Sequence, residues 1–134
     1  MRIVVDGVPV PKGRPRMTRS GHTYTPEKTK EYEDRIRAAY LSTTSEKFAK
    51  DTPLEVTVCV YLPISESLSK RRKIARETGI EKPTSRPDLD NYIKCLDALN
   101  GWAWYDDSQI VCIVAEKRYS SRPRMEILIE EFIE

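Results

Sequence analysis

The feature that most constrains the fold is a stretch of alternating residues in the middle of the chain, LEVTVCVYL at positions 54–62. Its apolar residues occupy every second position: Leu54, Val56, Val58, Val60 and Leu62. Because successive side chains of a strand point to opposite faces, these residues share one face, which other parts of the chain must cover. A chain of 134 residues holds one core rather than two. We therefore expect a single domain that spans residues 1–134.

Three other segments have the character of strands: residues 2–8, 109–117 and 124–132. The run QIVCIVAEK at 109–117 is mostly apolar, which is typical of a central strand covered on both faces. The alternating segment 124–132 follows this run after a short basic link. That spacing predicts an antiparallel hairpin between the last two strands.

Three segments have helical character: residues 26 to about 48, 66–78 and 88–100. Thr25 and Pro26 suit the start of the first helix, and the hydroxyl-rich run at 42–45 is a point where it can end early. Its predicted inward residues are Tyr32, Ile36, Ala39, Tyr40 and Phe48. Gly79 suits the end of the second helix. The order β-α-β-α-α-β-β predicts an α+β domain, in which helices pack on a mixed β-sheet of about four strands.

Charge is unevenly distributed, although the net charge is only +2. Residues 1–30 carry seven cations and two acids, a net charge of +5, and residues 63–87 carry seven cations and three acids, a net charge of +4. Residues 88–107 reverse this, with one cation and five acids, a net charge of −4. This distribution favours a polyanionic partner and a metal ion at the acidic centre, and ordinary solvated charge is the alternative. The aperiodic segment 9–26 is a long loop of a kind that is commonly functional.

The remaining composition disfavours several classes of protein. His22 is the only histidine, which leaves little for histidine catalysis or a zinc centre. Cys59, Cys95 and Cys112 lie in apolar runs without a CxxC spacing, which predicts buried, reduced thiols. No apolar run approaches the length of a membrane span, and the N-terminus has no secretory signal. We expect a cytoplasmic protein without a membrane partner.

The acidic segment begins with SRPDLDNYIKCLDAL at 85–99. On an α-helix over 88–100, one face would be apolar and would contain Tyr92, Ile93, Cys95, Leu96 and Leu99. The opposite face would contain Asp90, Asn91, Lys94 and Asp97. Asp88 would lie at the N-cap, where its carboxylate can converge with that of Asp90. The pair Asp106-Asp107 adds a third carboxylate if the next strand begins near the start of the helix.

Carboxylates gathered in this way need a counter-charge, because two of them 4 Å apart repel by about 4 kcal/mol at an effective dielectric constant of 20. Asp and Asn oxygens suit Mg²⁺ or Mn²⁺, and Lys94 could neutralise charge that develops on a phosphate. The same aspartates also fit purely structural roles. Asp88 and Asp90 can serve as a cap and as partners of the helix dipole, and Asp106-Asp107 can be a polar turn. A D-x-D pair also occurs in Mn²⁺-dependent nucleotide-sugar transferases, although this chain is short for one.

The stretch RPDLDNYIKCLDALNG, followed by WYDDSQIV, resembles the RusA family of Holliday-junction resolvases. VPVPKGRPRMTRSGHTYTP is similar to the start of its phage-type members. The resemblance implies a dimeric RusA-like α+β fold. It also implies a Mg²⁺-dependent endonuclease, with Mn²⁺ able to substitute, that resolves four-way junctions by symmetric paired nicks. Asp88, Asp90 and Asp107 are then the metal ligands and catalytic carboxylates, Lys94 is a catalytic lysine, and Asp106 contributes less. No small-molecule cofactor is implied.

The resemblance also gives the basic segments a function in binding branched DNA. The expected contacts are Lys12, Arg14, Arg16, Arg19, Lys70, Arg71, Arg72, Lys73, Arg86 and Asn91. Trp102, Trp104 and Tyr105 are expected to pack in the core or at a dimer interface rather than to stack on a base. A second hypothesis is a junction-binding module whose acidic site is non-catalytic.

One departure from the family pattern concerns the spacing after Lys94. Family members usually have one more residue between this lysine and the following D-A-L, which here begins at Asp97. The shorter spacing bears on the role of Asp97 and on the reach from the helix to Asp107.

Overall fold

The computed structural model describes residues 1–134. Its elements in chain order are β1 (Arg2–Asp6), β2 (Arg16–Met17), β3 (Thr23–Tyr24), α1 (Glu27–Thr43), β4 (Leu54–Leu62), α2 (Lys70–Glu77), α3 (Leu89–Ile93), a 3-10 segment (Lys94–Leu99), a 3-10 turn (Asp107–Gln109), β5 (Ile110–Tyr119) and β6 (Arg124–Glu131). The predicted α+β class, mixed sheet and element order are confirmed, with the hairpin β2–β3 as an addition within the segment predicted to be a loop.

Strand β4 is the inner strand around which the four-stranded sheet is built. The spatial order is β1-β6-β4-β5, in which β4 runs parallel to β5 and antiparallel to β6. Leu54, Val56, Val58 and Val60 are fully buried, as the alternation predicts. Leu62, the last residue of the alternating set, is only half-buried. Helix α1 and the 3-10 segment pack on the apolar side of the sheet, with Tyr32, Ile36 and Tyr40 in the core.

The predictions for the last two strands were wrong in their pairing. β5 and β6 do not form a hairpin, because β4 lies between them. Their four-residue link can cross two strand spacings, about 9.6 Å in total, since an extended chain covers about 3.3 Å per residue. The link crosses the end of β4, where the Ser120 N–H donates to the Leu62 carbonyl at 2.9 Å.

β5 is therefore an edge strand rather than a central one. Its apolar side chains Val111, Ile113 and Val114 are 57%, 43% and 53% exposed. The continuous apolar run predicts burial on both faces of the sheet, yet only β4 pairs with this strand. An exposed apolar edge with unpaired backbone groups favours association with another chain.

The helices are shorter than predicted. α1 ends at Thr43, within the hydroxyl-rich run, and Pro26 rather than Thr25 occupies its N-cap. Phe48 lies beyond the helix and donates its N–H to the Ala103 carbonyl at 2.9 Å. The predicted helix over 88–100 divides into α3 and the 3-10 segment.

All three cysteines are free, but only Cys95 is buried. Burial raises the pKa of the Cys95 thiol to about 12. Cys59 and Cys112 are half-buried, because they lie on the side of the sheet opposite the apolar core. The structure has no helix with the length and apolar character of a membrane span.

We expect the burial of β4 to dominate the stability of the domain. Val58→Ala removes two methyl groups from a site with no exposed surface, and it should lower the free energy of unfolding by about 2 kcal/mol. Val8→Ala is the matched control, since Val8 is 51% exposed, and it should change stability by less than about 0.5 kcal/mol. Urea denaturation of both variants measures the difference. Equal losses would contradict the assignment of β4 to the core.

Candidate active site

Asp88 and Asp90 lie at the start of α3 with their carboxylates available to a ligand. Asp88 occupies the N-cap in an extended conformation, with φ −67° and ψ 146°, but its side chain makes no capping hydrogen bond. Asp90 lies in the first turn and is exposed. The Lys94 ammonium lies 3.5 Å from the Asp90 carboxylate. Asp88 therefore occupies the N-cap position, but its carboxylate does not cap the helix and is free to bind a ligand.

Lys117 on β5 fixes the backbone that leads into Asp88. Its ammonium donates to the carbonyl oxygens of Ser85 at 3.0 Å and Pro87 at 2.9 Å. Lys117 occupies a position of β5 opposite Val60, on the core side of the sheet. A charged residue at an inward position of an apolar strand was the signal in the sequence that could have identified it.

A basic pocket adjoins Asp88. It has a volume of about 520 Å³ and is lined by Arg14, Arg86, Pro87, Asp88 and Asn91. Neither Arg14 nor Arg86 has a carboxylate partner within ion-pair distance among the salt bridges of the chain. Two uncompensated guanidinium groups beside an open pocket suit a phosphate.

The second acidic element, Asp106-Asp107, is held in a 3-10 turn by Gln109. Asp106 accepts the Ser108 N–H at 2.9 Å, which lowers the pKa of its carboxyl. The buried Gln109 amide accepts the N–H groups of Tyr105 and Asp106, and it donates to the carbonyls of Ala49 and Thr52. Asp106 and Gln109 thus form a capping box, which is a structural role.

Trp104 holds the carboxylate of Asp107. Its indole, which is fully buried, donates Nε1–H to Asp107 Oδ1 at 2.8 Å. Burial raises the pKa of Asp107 above its usual range, and the negative charges of Asp97 and Asp106 raise it further, while the indole hydrogen bond opposes these effects. The aromatic residues of this region were predicted to pack in the core or at a dimer interface. Trp104 lies in the core, whereas Trp102 and Tyr105 are exposed.

Within one chain, Asp107 does not join Asp88 and Asp90 in a group that could hold a metal ion. Asp107 precedes β5, whereas Lys117, which holds the backbone before Asp88, lies near the other end of that strand. Lys117 lies seven positions after Ile110 on this strand, a distance of about 23 Å. Asp107 lines a different cleft of about 260 Å³, with Lys94, Asp97 and apolar residues. No three Asp, Glu, His or Cys side chains of one chain form a group that could hold a metal ion.

The 3-10 segment accommodates the shorter spacing after Lys94. The three steps from Lys94 to Asp97 turn through about 360° at three residues per turn. Four steps of α-helix turn through about 400°. The tighter winding therefore brings Asp97 within about 40° of the direction that a segment one residue longer would give it in an α-helix. Leu96 and Leu99 remain buried, and Asp97 remains exposed.

The basic residues fall into two groups by their ion pairs. Lys12 pairs with Asp97 at 2.8 Å, Arg72 pairs with Glu81 at 2.8 Å, and Lys73 pairs with Glu66 at 3.4 Å. Although burial lowers the pKa of Lys12, the hydrogen bond to Asp97 and the charge of Glu33 outweigh it and raise that pKa. The exposed members without an ion pair are Arg14, Arg16, Arg19, Lys70, Arg71 and Arg86.

Comparison with known proteins identifies the family. Residues 6–130 match the family described as Endodeoxyribonuclease RusA. The chain belongs to the RusA family. The predicted resemblance and the class of endodeoxyribonuclease are thereby confirmed, and nucleases of this family generally depend on a divalent metal ion.

Two relatives show how far the similarity of this RusA-family chain extends. The uncharacterized protein YqaN of Bacillus subtilis (strain 168) is 37% identical over 141 aligned positions, which cover 98% of this chain and 96% of the relative. A protein of Lactococcus phage r1t, named crossover junction endodeoxyribonuclease rusA, is 36% identical over 88 positions. That alignment covers 64% of this chain and 60% of the phage protein.

We expect Trp104 to be required for metal-dependent cleavage by this RusA-family enzyme. Trp104→Phe retains most of the buried ring but removes the donor to Asp107, which is predicted to be a metal ligand. Loss of a partner that orients such a ligand typically costs 10- to 100-fold. The Mg²⁺ concentration for half-maximal DNA cleavage should rise about 10-fold or more. Trp102→Phe is the matched control, since Trp102 is 44% exposed, and it should cleave normally. Normal Mg²⁺ dependence in a folded Trp104→Phe protein would show that Asp107 is not positioned in this way.

Proposed function

We propose that this protein is a Mg²⁺-dependent endonuclease that resolves Holliday junctions by symmetric paired nicks, in DNA recombination and repair. Mn²⁺ is expected to substitute. The enzyme would act as a homodimer in the cytoplasm of a bacterial or phage-infected cell. The observation that carries the proposal is the pair of carboxylates at the start of α3. The Asp88 side chain makes no capping hydrogen bond, Asp90 lies beside Lys94, and the pocket next to Asp88 contains two arginines without ion pairs. The name of the phage relative supports the choice of substrate.

The exposed edge of β5 supports association of two copies. A two-fold axis beside this edge would run each β5 antiparallel to its copy, so that the same surface is used on both chains. Such pairing would satisfy the free backbone groups of the edge and would cover Val111, Ile113 and Val114. The apolar part of the cleft beside Asp107, formed by Ile93, Leu96, Ile110 and Ile113, lies on the same side of the molecule.

Antiparallel pairing of β5 would also complete the acidic site. In each chain, Asp107 precedes the start of β5, and Asp88 lies near its other end through the contact of Lys117 with Pro87. The start of one antiparallel strand lies beside the end of its partner. We propose that Asp88 and Asp90 of one chain share a metal ion with Asp107 of the second copy. The dimer would then contain two such sites, as paired nicks require.

Each group of side chains in the proposed site would have a separate chemical role. Asp88, Asp90 and Asp107 would hold the divalent ion, which supplies Lewis-acid stabilisation of the phosphoryl oxygens when bound. Lys94 would place its ammonium where negative charge develops on the phosphate or on the leaving oxygen. Arg14, Arg86 and Asn91 would bind the phosphate backbone beside Asp88, and Arg16, Arg19, Lys70 and Arg71 would bind it farther away.

The first test is cleavage of a synthetic four-way junction, beside a duplex of the same sequence, with and without Mg²⁺. The protein should cut the junction at paired, symmetric positions only when Mg²⁺ is present. Asp90→Asn should reduce cleavage by at least about 1,000-fold and should leave junction binding within a few-fold, because the fold does not depend on this exposed carboxylate. Binding without any divalent-dependent cutting by the wild-type protein would favour the alternative, a junction-binding module with a non-catalytic acidic site.

The second test is complementation between inactive variants. Asp90→Asn and Asp107→Asn proteins, co-expressed with different tags, should form mixed dimers with one intact composite site. These dimers should make a single nick per junction at about half the wild-type rate, since one of two symmetric sites survives. The control pair, Asp88→Asn with Asp90→Asn, leaves a defect in both sites and should stay inactive. Complementation by the control pair, or none by the first pair, would contradict a site shared between chains.

A further inference from the structure

The segment from Pro9 to Pro15, which we call the strap, lies against α1 and α3 through a series of specific contacts. Lys12 N–H donates to the Asn91 carbonyl at 2.9 Å, and Cys95 Sγ lies 3.3 Å from the Val10 carbonyl, to which it donates. Gly13 N–H donates to Thr29 Oγ1 at 2.9 Å. These contacts fix a segment without helical or strand structure of its own.

Gly13 allows the strap to approach α1 closely. A Cβ at this position would lie 3.1 Å from Pro26 Cγ and 3.3 Å from Thr29 Oγ1. Both distances are tighter than ordinary van der Waals contacts between a Cβ and its neighbours. The next residue, Arg14, is exposed and lines the basic pocket beside Asp88.

The side chain of Lys12 is committed to carboxylates of the protein. Its ammonium lies 2.8 Å from Asp97 Oδ2 and 3.7 Å from Glu33 Oε2, and its side chain is only 23% exposed. A cation held between two carboxylates is poorly placed to release counterions from DNA. Arg14, two residues away, has no such partner among the ion pairs of the chain.

We propose that Lys12 and Asp97 are a positioning pair, which does not itself contact DNA but fixes the strap so that Arg14 meets a backbone phosphate beside Asp88. This inference rests on the proposed function, and it gives Asp97 a role other than metal binding. It also replaces the expected contact between Lys12 and DNA with an indirect role. The pair joins the strap to the 3-10 segment, whose winding sets the position of Asp97.

Asp97→Asn tests the proposal through the direction in which it changes the affinity for DNA. Asp97→Asn removes a negative charge, so simple electrostatics predicts tighter binding to DNA. A positioning pair predicts weaker binding, about 3- to 10-fold, because Arg14 is no longer held. The measurement is fluorescence anisotropy of a labelled four-way junction in EDTA, at several KCl concentrations. Asp34→Asn is the matched control, since it removes an exposed carboxylate that pairs with Arg37 at 2.9 Å and not with the strap, and it should not weaken binding.

A double-mutant cycle with Arg14 identifies the route of the effect. Arg14→Ala should weaken junction binding and reduce the slope of log affinity against log salt by about 0.9, the value for one lost phosphate contact. Adding Asp97→Asn should cause no further loss, because Arg14 has already been removed. The two effects of Asp97→Asn and Arg19→Ala should instead multiply. Multiplication of the Asp97→Asn and Arg14→Ala effects, or tighter binding by Asp97→Asn alone, would overturn the proposal.

Two controls keep the result interpretable. If Asp97→Asn is unfolded at the assay temperature, Lys12→Gln takes its place in the cycle. If Lys12 contacts DNA directly, the losses of affinity from Lys12→Gln and Arg14→Ala should multiply. If Lys12 has a positioning role, Lys12→Gln should cause no further loss in the Arg14→Ala protein. If the wild-type protein binds the junction no more tightly than duplex DNA, the proposed function fails. Selective junction binding by the wild-type protein with independent Asp97 and Arg14 effects refutes the positioning pair alone.

Discussion

Repulsion between carboxylates is the constraint on which the proposed metal site depends. Five aspartates lie within residues 88–107, yet each chain keeps the two halves of the candidate metal site apart. Asp90 pairs with Lys94, Asp97 pairs with Lys12, and Asp107 accepts a hydrogen bond from Trp104. The acidic groups of a single chain are thus partly compensated by the protein itself, and the proposed dimer would concentrate negative charge where a divalent ion can neutralise it.

The sheet determines how far apart these groups lie. β4 occupies an inner position, and its parallel pairing with β5 leaves β5 at the edge. The 3-10 turn with Asp107 precedes one end of β5, and Lys117 holds the backbone before Asp88 near the other end. One strand thus separates the two acidic elements within a chain, and its exposed edge is the surface that we propose pairs with a second copy. The same exposed valines would otherwise favour aggregation.

Local winding and local anchoring then refine the site. The 3-10 segment has fewer residues per turn than an α-helix, and it leaves Asp97 exposed. The strap has no repetitive structure, but backbone and side-chain hydrogen bonds fix it beside α3. Gln109 does the same for the turn that contains Asp107, since it uses its amide as both donor and acceptor. These contacts hold a small set of charged groups in specific positions.

The sequence by itself determined the α+β class, the element order, the buried face of β4 and the exposed position of Asp90 beside Lys94, because periodicity and helical spacing are local properties. The neighbours of β5 were not predictable from its apolar run. A strand that is apolar on both faces can be buried within one chain or can lie at an edge that pairs with another chain. Only the tertiary structure showed that Lys12 is committed to Asp97 and that Trp104 and Lys117 support the site. It also showed that Asp88 and Asp107 lie near opposite ends of one strand. Each of these depends on contacts between residues distant along the chain or on the course of the backbone between them, which no local pattern records.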